Sequence, residues 1–161
     1  MNVKHLQNDI FLPEAVRLLE EDNGHTVSMT ARGNSMMPFI RHNRDLLIFA
    51  RKGSAEVGDV VLAEIAKGTF VCHRIDRKDG ERLTLRGDGN VRGVEHCRLS
   101  DVRAQLQSVV RKGKTYDLNT SRAWKLYSAL WPRSSFLRRV LLAFYRLTHG
   151  MPLLARNVSL Q

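Results

Sequence analysis

The chain has 161 residues, of which 43% are hydrophobic and 26% are charged, so it is long enough to bury a core and has the balance of a globular protein. Its net charge of +10 is uneven, because residues 1–110 carry 16 basic and 15 acidic side chains whereas residues 111–161 carry 10 and 1. The sequence has no apolar run as long as a membrane span and no hydrophobic N-terminal signal segment. A cytoplasmic protein is therefore predicted, with peripheral attachment at the inner membrane face left open.

The first predicted element is a short helix within residues 1–24. It starts at Pro13, places Leu12, Val16 and Leu19 on one side, and ends at Gly24. Alternating and apolar runs then predict strands at residues 26–32, 45–50, 60–65, 70–76, 82–86, 104–111 and 114–118. Short strands with little helix between them predict a mainly β core over residues 25–118.

Residues 119–161 change to a helical period and form a basic helical tail. Two helices are predicted, to Leu130 and to Thr148, each preceded by a capping serine or threonine and separated by Pro132. The second helix has a wide apolar stripe, formed by Phe136, Leu137, Val140, Leu141, Phe144 and Leu147. Contacts with a membrane or a partner are predicted for Trp124, Trp131, Arg138, Arg139 and Arg146.

Three interpretations of this tail stay open. The apolar stripe could pack on the β core as a helical cap, or it could lie on an anionic membrane surface, which basic residues opposite an aromatic and aliphatic face favour. The tail could also dock on a partner protein or bind nucleic acid through its basic residues. Nucleic acid has the weakest support, because the sequence contains no DNA-reading motif.

A serine, a histidine and an acid follow one another in the order Ser35, His73 and Asp88. A serine hydroxyl is a weak nucleophile at neutral pH, so it needs a base to take its proton and a third group to orient that base. Gly33 and Pro38 flank the serine and predict a turn that leaves the hydroxyl exposed and aims amide groups at an oxyanion. The order of these residues suggests a peptidase.

Residues 33–38 resemble the G-x-S-M-x-P serine box of the peptidases that include type I signal peptidases and LexA-like self-cleaving repressors. Four further boxes match in order, at residues 45–48, 57–61, 73–75 and 87–90, so the resemblance spans residues 25–118. It implies a coiled, barrel-like β fold and a serine endopeptidase that cleaves a leader or precursor peptide through an acyl-enzyme, without a cofactor or metal.

The resemblance also implies roles for single residues. Ser35 would be the nucleophile, and His73 stands where most bacterial signal peptidases and LexA-like proteins have a lysine, which is similar to the histidine subtype of the endoplasmic reticulum and archaea. Asp88 is the preferred orienting acid, with Glu95 as the alternative. The substrate or oxyanion group would include Asn34, Met36 and Pro38, although Met36 could equally be a core filler.

Other classes of function compete with that of a processing peptidase. Cys72-His73 and His96-Cys97 suggest a zinc site, but neighbouring strand residues point to opposite faces, so two free thiols are favoured. A LexA-like regulator that cleaves itself would need a DNA-binding domain and a cleavage segment, and little chain precedes Gly33. A non-catalytic module that binds a peptide or a membrane on the same fold also stays open.

Overall fold

The computed structural model describes residues 8–21, 25–51 and 53–149. Three α-helices occur in this part of the chain: α1 Asn8–Glu21, α2 Arg122–Leu130 and α3 Ser135–Thr148. The strands are β1 Thr26–Thr30, β2 Leu46–Arg51, β3 Val60–Ala66, β4 Thr69–Asp79, β5 Arg82–Arg86, β6 Glu95–Arg98, β7 Val102–Arg111 and β8 Lys114–Asp117. The predicted mainly β fold is confirmed.

All the strands pair antiparallel in one sheet. Its path runs β1-β2-β7-β3-β4-β5-β6, and β8 pairs with β7 beside this path. The long strand β7 is central, because it pairs with β2, β3 and β8. The end strands β1 and β6 do not pair with each other, so the sheet is open within the described residues.

The two faces of the sheet bury separate apolar cores. Successive strand residues point to opposite faces, so Val60 and Leu62 of β3 enter the larger core whereas Val61 and Ala63 enter the smaller one. The larger core also takes residues from α1 and α2, including Leu19 and Trp124. The face on which a β4 side chain lies therefore decides which residues it can reach.

Two elements differ from the sequence prediction. The helix α1 begins at Asn8, so Pro13 lies inside it rather than at its start and leaves one carbonyl without its usual helical N–H donor. The predicted stop at Gly24 lies outside the described residues. The strand β6 was not predicted, because its four residues Glu95–Arg98 have no clear alternation of apolar and polar types. The division into residues 1–24, 25–118 and 119–161 stays a prediction.

Asp45 is a buried charge that ties the start of β2 to β7. Its carboxylate is fully buried and accepts hydrogen bonds from the guanidinium groups of Arg44 and Arg111 and from the Arg41 N–H. Burial alone would raise the pKa of Asp45, but the hydrogen bonds from Arg44 and Arg111 outweigh it and hold this pKa well below its usual range. The ionised form therefore stabilises the fold.

Asp45→Asn should lower the free energy of unfolding at neutral pH by about 3 kcal/mol, because two arginines lose their anionic partner. Because the folded-state pKa of Asp45 is depressed, this stabilisation is present above the ordinary carboxyl pKa and is lost as pH falls towards the depressed value. Urea unfolding of both proteins between pH 7 and pH 3 should show their difference shrinking in acid. The exposed Asp79→Asn is the control, and a difference that does not change with pH would refute the argument.

Candidate active site

Ser35 lies in a tight turn, residues 33–40, that joins β1 to the segment before β2; we call it the serine turn. Gly33 has a φ of 78°, a left-handed conformation that favours glycine, and its N–H donates to Nδ1 of His42 at 3.0 Å. The Met37 N–H donates to the Asn34 carbonyl at 3.2 Å. Because Met36 and Met37 are buried, they anchor the turn and leave Ser35 half-buried.

Residues 87–90 form a second turn, the glycine turn, which packs directly against the serine turn. The Gly89 N–H donates to the Ser35 carbonyl at 2.7 Å. A Cβ atom on Gly87 would lie 2.3 Å from the same carbonyl oxygen, and one on Gly89 would lie 2.6 Å from the Asn34 oxygen. Both positions therefore need glycine for close approach. The contact uses the carbonyl of Ser35 and leaves its N–H for another acceptor.

Gly87→Ala should displace the serine turn, because its Cβ would overlap backbone that cannot move aside as a side chain can. We expect kcat/KM for a cleaved peptide to fall about 100-fold, the cost of a misplacement of about 1 Å. Gly53→Ala is the control, since its Cβ would meet nothing nearer than the Gln105 side chain at 3.9 Å. Wild-type kcat/KM in folded Gly87→Ala protein would contradict the proposed role of this contact.

His73 on β4 pairs with Glu95 on β6. Its Nδ1 lies 2.7 Å from Glu95 Oε2, and the histidine is 5% exposed. The register explains the meeting, because Ile75 faces Leu85 and Leu85 faces Glu95, and His73 shares the face of Ile75. In the neutral imidazole, a hydrogen on Nδ1 would donate to a Glu95 carboxylate oxygen and leave the lone pair of Nε2 to take a proton.

Asp88 forms an ion pair with Arg74, whose side chain lies on the other face of the sheet. Its two oxygens accept from Nε and Nη2 of Arg74 at 2.9 and 2.7 Å, and the Tyr127 hydroxyl donates to it at 3.3 Å. Burial lowers the pKa of Arg74, but the bonds to Asp88 outweigh it and raise this pKa overall. The preference for Asp88 as the partner of His73 is therefore corrected: the structure places Glu95 there.

The serine turn reaches the end of the β4–β5 pair at which His73 lies. The last registered pair of these strands is Arg74 with Arg86, and the next residues are His73 and Gly87. Since Gly87 touches the Ser35 carbonyl, the nucleophile candidate and the base candidate belong to one neighbourhood. Within the described residues, no hydrogen bond joins the Ser35 hydroxyl to the His73 ring. Such bonds are often long before substrate binds.

Arg138 of α3 holds the glycine turn from outside. It is 1% exposed and donates to the carbonyls of Gly87 at 2.9 Å, Asn90 at 3.4 Å and Pro132 at 2.6 Å. Its predicted contact with a membrane or partner is therefore wrong. This buried position is not apparent from the sequence, because an arginine on an amphipathic helix is ordinarily solvated.

Trp124 is also buried, at 6% exposed, and its ring packs edge-on against Phe39 of the serine turn with centroids 4.1 Å apart. The predicted contact of Trp124 with a membrane or partner is wrong because its side chain is buried where α2 packs on the core. Trp131 is half-buried and stacks on Tyr127. Arg139 is exposed, and Arg146 is half-buried.

The remaining site predictions have different outcomes. Met36 is buried in the larger core, which agrees with the core-filler interpretation, and its contact with substrate stays a prediction. Asn34 is exposed and Pro38 is half-buried, and their contact with substrate stays a prediction.

Cys72 packs against the larger core, on the face opposite to His73, and desolvation raises its pKa to about 12, which keeps it a thiol. Cys72 and Cys97 are not joined in a disulfide.

A serine on a tight turn, a histidine paired with a carboxylate and an open antiparallel sheet together are typical of a peptidase-like β protein. A family model described as Peptidase S24-like matches residues 1–97, a stretch that includes Ser35, His73, Asp88 and Glu95. The chain belongs to the Peptidase S24-like family, which confirms the resemblance at the level of the LexA-like and signal-peptidase-like superfamily. A search of curated proteins found no significant match. Both helices of the basic tail lie beyond the matched residues.

Proposed function

We propose that this chain is a serine endopeptidase in which Ser35 is the nucleophile, His73 the general base and Glu95 the acid that orients it. The observation that carries the proposal is the 2.7 Å contact between His73 Nδ1 and Glu95 Oε2. It supplies the orienting half of a serine, histidine and acid arrangement. The packing of the glycine turn on the Ser35 carbonyl supports the other half, because Gly87 follows β5 at the end of the strand pair next to which His73 lies.

The proposed reaction begins when the Ser35 hydroxyl transfers its proton to His73 Nε2 and its oxygen bonds to a peptide carbonyl carbon. The negative charge that forms on the carbonyl oxygen accepts a hydrogen bond from the Ser35 N–H. The peptide C–N bond then breaks, and the imidazolium returns its proton to the leaving amine. Water, activated by the same base, hydrolyses the acyl ester and releases Ser35.

The substrate we propose is a leader or precursor peptide. Support comes from the five ordered boxes, which resemble those of signal peptidases, and from the histidine where lysine-based relatives have their base. Lys67 is a poor substitute base, because it lies in the turn between β3 and β4, before Gly68, whose φ is 74°. A histidine-based peptidase therefore fits these residues better than a lysine-based one.

The proposal is tested by comparing the protein N-termini of cells that contain either the wild type or Ser35→Ala. New termini that depend on Ser35 in other proteins would support precursor processing, and their flanking residues would give the specificity. The intact mass of purified wild-type protein separates the self-cleaving alternative, since a Ser35-dependent internal cut would appear there. If neither kind of cut depends on Ser35, the endopeptidase proposal fails.

A further inference from the structure

We propose that the C-terminal hairpin, α2 and α3, docks this protein on an anionic lipid surface through an apolar face of α3 that the fold leaves exposed. That face is formed on α3 by six side chains with exposed fractions of 44 to 72%: Phe136, Leu137, Val140, Leu141, Phe144 and Leu147. On α2, Leu126 and Leu130 are 60 and 70% exposed. The interpretation in which the stripe packs on the β core is therefore wrong.

The stripe points outward because the opposite side of α3 is the one that packs on the protein. At 100° per residue, the six apolar residues cover an arc of about 140°, and Arg138, Leu142 and Tyr145 lie on the far side. Arg138 and Leu142 are almost fully buried, and the Arg41 guanidinium lies 5.0 Å from the centre of the Tyr145 ring. The hairpin is thus already docked, and its stripe has no partner among the described residues.

The positive charge around this face favours an anionic lipid surface as its binding partner. Exposed basic side chains accompany the apolar residues on both helices and the link between them, at Arg122, Lys125, Arg133 and Arg139. Residues 119–149 contain no aspartate or glutamate. A second copy of the chain would bring the same positive charge against itself, whereas an anionic leaflet attracts it and accepts the phenylalanines and leucines. Nucleic acid would leave the apolar stripe in water.

The mode of attachment would be interfacial. No helix in the described part of the chain is both long and apolar enough to cross a bilayer. A helix of 14 residues can instead lie in the membrane plane with one face among the acyl chains. Because Arg138 bonds the glycine turn from the opposite side of α3, that turn would sit about one helix diameter, roughly 10 Å, from the lipid. The serine turn, which packs on the glycine turn, would then also lie near the membrane.

Vesicle co-sedimentation tests the proposal, using the full chain as Ser35→Ala so that binding is separated from peptidase activity. The probes are vesicles of phosphatidylcholine alone and of phosphatidylcholine with 30% phosphatidylserine. We expect binding to the anionic vesicles, weakened by salt, and Phe136→Glu/Phe144→Glu should reduce it at least 100-fold, about tenfold for each phenylalanine removed from the acyl region. Leu130→Glu on α2 is a second variant. Each position is exposed, so the fold should persist.

Two matched controls separate this face from general hydrophobicity and charge. Leu18→Glu removes an exposed apolar residue on α1 and should bind like the wild type. Arg122→Gln/Arg139→Gln should weaken binding about fivefold per residue, whereas Arg77→Gln/Arg82→Gln should not. Failure of the parent protein to bind anionic vesicles at low salt would overturn the proposal. So would a dimer in sedimentation analysis that Phe136→Glu/Phe144→Glu disrupts, since a second copy would then cover the face.

Discussion

Ser35→Ala should lower kcat/KM for a cleaved peptide by at least about 1,000-fold, because removing the nucleophile leaves only binding and oxyanion stabilisation. The turn should keep its shape, because the Ser35 carbonyl and not its side chain accepts from Gly89, and within the described residues the Ser35 hydroxyl has no hydrogen bond to lose. Steady-state kinetics on a peptide taken from the mapped cleavage sites measures the effect. Thermal unfolding of the same preparation shows whether the fold is intact.

Ser28→Ala is the matched control for that experiment. Ser28 is exposed on β1, close in sequence to the serine turn but outside it, so its loss should change neither kinetics nor melting temperature. Unchanged cleavage by folded Ser35→Ala would remove Ser35 from the mechanism. It would leave the chain as a Peptidase S24-like protein that binds rather than cuts.

Glu95→Gln should reduce kcat roughly 100- to 10,000-fold with little change in stability. A glutamine can offer its amide N–H to His73 Nδ1, which favours the tautomer with hydrogen on Nε2 and prevents that atom from taking the serine proton. The Glu95 side chain is one-quarter exposed, so neutralising it leaves no buried charge alone. Kinetics and urea unfolding of one preparation, with the exposed Glu81→Gln as control, measure both quantities.

Asp88→Asn should give the opposite pattern. It breaks a bidentate pair in which the Arg74 side chain is 5% exposed and Asp88 is fully buried, so the free energy of unfolding should fall by about 3 to 5 kcal/mol. The measured kcat/KM should fall only in proportion to the loss of folded protein, or to any shift of the glycine turn. If Asp88→Asn were stable and inactive while Glu95→Gln stayed active, the assignment of the two acids would be reversed.

Much of the fold could be predicted from sequence because it depends on local period and turn chemistry. Alternating and apolar runs predict seven of the eight strands, and the Ser121 side chain does cap α2 by accepting from the Trp124 N–H at 3.2 Å. The strand β6 could not be predicted from the sequence, because its four residues take their conformation from pairing with β5. The sequence predicts the apolar stripe of α3, but it does not predict whether that stripe faces the protein or the solvent. A buried Arg138, with carbonyl partners 48 and 51 residues away, set that direction.

The sequence by itself determined the family and the candidate nucleophile and base, because ordered boxes and strand alternation are properties of the chain alone. Only the tertiary structure decided which acid meets His73. Alternation sends His73 and Arg74 to opposite faces, and the pairing of β4 with β5 and of β5 with β6 then brings Glu95 to the first face. Asp88 meets Arg74 on the second face. No sequence spacing encodes that choice, since it depends on strand register between residues 22 positions apart.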